Sequence, residues 1–174
     1  MTDSLQLQYR ADQVATSAWI APNAAVFGDV TLGREAIVLF SATIRGDAEK
    51  IALGDACNVQ DGAVLHADPG FPCLLGDRVS VGHRAIVHGA VVEDDVLIGM
   101  GAIVLNGAKI GAGSLIAAGA IITERTVIEP GSVVMGVPGK VVRQTTDQDM
   151  ERIRHAAEHY RLAARQYRES FEPR

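Results

Sequence analysis

Histidine is the side chain in this 174-residue sequence best suited to chemistry at neutral pH, and there are five of them. A neutral imidazole offers a lone pair to a metal ion, and its ordinary pKa of about 6.5 keeps that lone pair available at pH 7. His66, His83 and His88 fall in the middle third of the chain, and His155 and His159 near its end. The last two stand four apart, one helical turn. A pair so spaced can hold an ion, but no third ligand lies near it, so these two read as solvated surface residues. Whether His66, His83 and His88 meet depends on the elements that carry them.

Those elements are written in a ladder of aliphatic residues at every sixth position. From Val92 the rungs are Ile98, Val104, Ile110, Ile116, Ile122, Ile128 and Val134 without a miss. Upstream run Ile20, Val26, Leu32, Val38 and Ile44, then Leu53, Val59 and Leu65, then Leu75, Val81 and Val87. Four positions after most rungs sits a small residue, such as Ala36, Ala63, Ala85 or Ala120. A fixed short period over most of a chain means a solenoid. Six matches neither the helical period nor plain strand alternation. It matches a short strand and a tight turn, with the rung and the small residue both pointing inward.

This pattern resembles the hexapeptide-repeat family. The resemblance implies an all-β solenoid, a triangular left-handed parallel β-helix with three hexapeptides per coil. The left hand rests on the resemblance, since parallel crossovers are otherwise right-handed. Three breaks interrupt the ladder: Ile44 to Leu53 is three residues too long, Leu65 to Leu75 four too long, and Val87 to Val92 one too short. Taken as loops or bulges that leave the faces unchanged, they put rungs three apart on one face of adjacent coils.

His66 and His88 directly follow Leu65 and Val87, which are three rungs apart. They therefore stack at the strand spacing of about 4.8 Å. That suits two imidazoles converging on one ion with bonds of roughly 2.0–2.1 Å. Arg45, after Ile44, shares their column, and Asn106, two after Val104, falls on the same face one coil later. His83 is in a different phase, stacked over Asp61 on the next face. Within one chain it points away from the pair. His83 of a neighbouring chain would complete three ligands, and threefold symmetry would repeat that site three times.

The ordered set Arg45-Gly46-Asp47, Gln60-Asp61-Gly62, His66, and Val81-Gly82-His83 through His88-Gly89 resembles the gamma-class carbonic anhydrases. Ile98 to Val104 fits the same group, and the resemblance covers nearly the whole chain. It implies a homotrimer with zinc, or iron or cobalt as Fe2+ or Co2+, held by His66 and His88 of one subunit and His83 of the next. It implies carbon dioxide and bicarbonate as substrates, hydrated by a metal-bound hydroxide at each interface. Arg45 and Asp47 would form an ion pair across the interface, Gln60 would orient the hydroxide, and Asp61 would support the site beside it. Asn106, by its column alone, would either line the site or serve as a turn asparagine. The most active members carry glutamates for proton transfer in a long loop after the first histidine. Here Ala67 to Pro72 holds Asp68 as its only acid, and Ala48 follows Asp47.

The ladder stops at Gly136-Val137-Pro138-Gly139-Lys140. The expected organisation is a β-helix domain over 1–144 and a C-terminal helix over 145–174, running from about Thr146 to Ser170. Met150, Ile153, Ala157, Tyr160, Ala164 and Tyr167 give that helix one apolar face, and Thr146 is its expected N-cap. Packed on the solenoid, it would cover an open sheet edge. The net charge of −5 with no basic run argues against nucleic acid. No apolar stretch spans a membrane, and the first residues form no signal peptide. Two cysteines without a disulfide framework fit a reducing cytoplasm. Two other functions remain open: a hexapeptide acyltransferase, suggested by Gly136 to Lys140, and a metal-bound trimer without catalysis.

Overall fold

The computed structural model describes residues 8–171. Short parallel strands stack coil upon coil, and each parallel pairing joins rungs that are three apart. Val38 pairs with Val59, Ile44 with Leu65 and Leu65 with Val87. Leu53 pairs with Leu75, and Leu75 with Val92. From Leu32 to Val134 every rung is buried, and Ala36, Ala63, Ala85, Ala102 and Ala120 fill the inward small-residue positions. The core is thus a continuous column of stacked aliphatic side chains inside the coils. Burying each is worth about 1.5–3 kcal/mol relative to exposure.

Glycine after a rung answers to close approach between coils. A Cβ on Gly99 would sit 2.5 Å from the Ala118 backbone nitrogen of the next coil.

The three ladder breaks resolve differently. The first is not a loop: one strand, Thr43–Leu53, runs through it and pairs with Ala25–Leu32, with a register shift between Gly28 and Val30. The second is a loop joining Val64–His66 to Cys73–Leu75, pinched by a bridge between Asp68 and Phe71. The third is a tightened turn at Gly89, whose φ of +57° lies in the left-handed region. A side chain there would also collide with Phe71 and Asn106.

The end of the solenoid corrects one expectation. The chain reverses after Ser132–Met135, and Lys140–Gln144 returns antiparallel beside it. That strand, and not the helix, covers the last sheet edge. The helix Asp147–Phe171 runs along one face of the coils, over Ile37–Val38, Asn58–Val59 and Ser80–Val81. Thr146 caps it as expected: its Oγ1 accepts from the Asp149 N–H at 3.3 Å, and Asp149 Oδ2 accepts from the Thr146 N–H at 2.9 Å. Ile153 packs with Leu115 and Val133, and Ala164 with Trp19, Ile37 and Leu39. Ile153 is fully buried, so Ile153→Ala should destabilise the fold by about 2–5 kcal/mol. Denaturant unfolding of the two proteins measures this.

Cys57 and Cys73 are both buried without a disulfide. Burial pushes each thiol up to about 12, which leaves both inert as nucleophiles or ligands at neutral pH. No helix among the described residues is long and apolar enough to cross a membrane.

Candidate metal centre

His66 and His88 end neighbouring strands and pair directly in register, with Arg45 below them. Their ring centroids are 4.8 Å apart, and His66 Nδ1 lies 2.8 Å from His88 Nε2. The partners behind each ring fix which nitrogen carries hydrogen. His66 Nε2 is 3.0 Å from Asp47 Oδ1. Burial pushes the Asp47 carboxyl up, but hydrogen bonds from Arg45 and His66 and the Arg45 charge outweigh it and hold the group below its usual range. An ionised carboxylate only accepts, so His66 Nε2 carries the hydrogen, and in the neutral ring Nδ1 is the lone-pair nitrogen.

The same logic reaches His88 through one more residue. The Asp68 carboxylate accepts from Asn106 Nδ2 at 2.8 Å, which turns Asn106 Oδ1 toward His88 Nδ1, also at 2.8 Å. His88 Nδ1 therefore donates, and its Nε2 is bare. With both rings neutral, two lone pairs face each other at 2.8 Å, an arrangement that repels unless a cation lies between them. Tetrahedral ligation at 2.0–2.1 Å puts two such nitrogens about 3.3 Å apart, so a small opening of the pair admits a divalent ion. The donor set fits the metal.

His83 lies on the next face. Its Nδ1 is 2.9 Å from Asp61 Oδ2, its Nε2 is 3.2 Å from the Tyr160 hydroxyl, and its backbone N–H donates to Gln60 Oε1 at 3.2 Å. Gln60 Nε2 donates to Asn58 Oδ1, and Asn58 Nδ2 to Ser80 Oγ, in a buried row. One chain thus assembles Arg45, Asp47, His66, His88 and Asn106 in one group and Gln60, Asp61 and His83 in another. Within one chain Arg45 and Asp47 form an ion pair, at 2.9 and 2.7 Å. The physical reason is that residues two apart on a strand share a side. His155 and His159 are exposed and stack on each other, and among the described residues neither belongs to a metal-ligating cluster.

Comparison with known proteins places the chain among relatives. Residues 89–124 match the bacterial transferase hexapeptide (six repeats) family. The chain is 50% identical over 147 residues to a protein of Methanocaldococcus jannaschii named "Probable carbonic anhydrase", covering 84% of this chain and 92% of that one. It is 35% identical over 153 residues to gamma carbonic anhydrase 2, mitochondrial, of Arabidopsis thaliana, covering 84% of this chain and 55% of that protein. The chain belongs to the gamma-class carbonic anhydrase family. A solved hexapeptide transferase family protein from Anaplasma phagocytophilum superposes on this gamma-class chain with a TM-score of 0.86, at 33% identity, covering 89% and 92% of the two. The fold is accordingly the left-handed parallel β-helix of hexapeptide repeats.

Two residues of this gamma-class site escaped the sequence reading. Tyr160 was placed only on the helix's apolar face, yet its hydroxyl meets His83 from 77 residues away. Asp68 stood out as the loop's only acid, but nothing in its spacing tied it to Asn106. Its one signal is its place two residues after His66.

Proposed function

We propose that this protein hydrates carbon dioxide to bicarbonate as a homotrimer, at sites where His66 and His88 of one subunit and His83 of the next hold a divalent ion. Zinc is the expected ion, and the same imidazole donors accept Fe2+ or Co2+. The supporting observation is the pair of bare nitrogens, set facing each other by Asp47 and Asn106. When bound, the ion supplies Lewis acidity and lowers the pKa of water from about 15.7 to about 7.

The chain's own residues do the rest. Asp47 and Asn106 hold the outer ring N–H groups, so the inner nitrogens stay free to ligate and the rings stay aimed. Asp61 holds His83 by Nδ1, so His83 ligates through Nε2, and the Tyr160 contact yields when the neighbouring pair arrives. Gln60 spends one amide hydrogen on Asn58 and its oxygen on the His83 backbone. Its second amide hydrogen remains to align the reacting oxygen. Asp68 is the only acid of the loop, so release of the proton to solvent limits turnover.

Stopped-flow hydration with metal-replete protein tests this reading. The rate should exceed the uncatalysed rate and rise further when imidazole is added as a proton acceptor. A rate equal to the uncatalysed one at both imidazole levels would contradict it and favour a metal-bound trimer without turnover.

A further inference from the structure

We propose that Asp68 is a third metal ligand supplied by the same subunit, so that each chain can take a divalent ion on His66, His88 and Asp68 before a neighbour's His83 reaches it. The proposal rests on the reading of His66 and His88 as ligands and concerns how that site is loaded. The ligand atoms of His66, Asp68 and His88 all lie within 4.8 Å of one another in one chain. His83 is turned to another face, with both ring nitrogens engaged by Asp61 and Tyr160.

Asp68 is held in place from several directions. Asn106 donates to its Oδ2 while accepting from His88, so one amide holds both a histidine and a carboxylate. A carboxylate has about four lone-pair positions, and this hydrogen bond uses one. The loop that carries Asp68 is fixed in turn. The Phe71 N–H donates to the Asp68 carbonyl at 2.8 Å, and the Gly70 N–H donates to Glu49 Oε2 at 3.0 Å. The Phe71 side chain lies over Gly89 and Gly107, where neither coil has a Cβ to displace it. Arg125 sits 5.4 Å from the Phe71 ring centroid.

Two imidazoles and one carboxylate form a familiar donor set for zinc and for ferrous ion. Asp68 retained beside three imidazoles would close a tetrahedral site to water. It is therefore a loading ligand that gives way when His83 arrives.

Titration of Co2+ into chelator-stripped protein, followed by visible absorption and chelator competition, tests this. The proteins are wild type, His83→Ala, Asp68→Asn and the double variant. Asparagine at 68 keeps an acceptor for Asn106, and thermal melts verify folding. His83→Ala should still bind one Co2+ per chain, more weakly than wild type, and adding Asp68→Asn should weaken it by at least about tenfold more. If wild type binds Co2+ and His83→Ala does not, or if the double variant matches His83→Ala, the Asp68 ligand is refuted while the shared site stands. If wild type binds no Co2+, the reading of His66 and His88 falls with it.

Discussion

His88→Ala is expected to leave the purified protein without stoichiometric metal and with hydration at the uncatalysed rate. His88 supplies one of the two facing nitrogens and is the ring that Asn106 aims. Loss of an outer partner alone typically costs about 10–100-fold in metal affinity, so loss of the ligand itself should cost more than about 100-fold. His66→Ala should behave alike, because Asp47 would be left with no ring to hold. His155→Ala, on the exposed helix surface, should keep its full metal content. Elemental analysis after dialysis against a weak chelator, expressed per chain, decides the matter. Metal retained by His88→Ala and lost by His155→Ala would overturn the assignment.

Gln60→Ala should separate binding from turnover. Metal content should stay at the wild-type level, because Gln60 touches the His83 backbone and not its ring. The hydration rate should fall by about 10–100-fold. A fully committed hydrogen-bond donor at a reacting centre is worth about 10²–10³-fold, and water can partly replace this one. The substitution also strips partners from the His83 N–H and the Asn58 oxygen. That should cost about 1–3 kcal/mol of stability, so rates are to be read well below the melting temperature. Gln60→Glu, which keeps the acceptor for His83 but lacks the amide hydrogens, should lose rate with a smaller loss of stability.

The solenoid was legible because its inward positions are periodic, and period fixes register. Once rungs three apart share a face, the stacking of His66 on His88 follows from counting, as does that of His83 over Asp61. The segments that broke the count were harder to read. Thr43–Leu53 continues as strand where a loop was also allowed, because a register shift absorbs the extra residues. Lys140–Gln144 was missed because it is exposed throughout and shows no alternation of buried and exposed positions. The Arg45–Asp47 contact within one chain was legible too, because residues two apart on a strand share a side. Tyr160 was illegible as a site residue because its contact depends on where the helix docks, which its own periodicity does not state.

The central claim is that each site takes His66 and His88 from one subunit and His83 from the next. Mixing subunits tests it most directly. His83→Ala and His88→Ala chains, each inactive alone, are co-expressed with different tags, and doubly tagged trimers are isolated. In a closed ring every mixed trimer contains a single interface where an intact His66–His88 pair meets an intact His83. The account predicts that these trimers regain hydration at about one third of the wild-type rate per trimer, as expected for one working interface among three. Mixed trimers of verified composition that remain as inactive as their parents would contradict it.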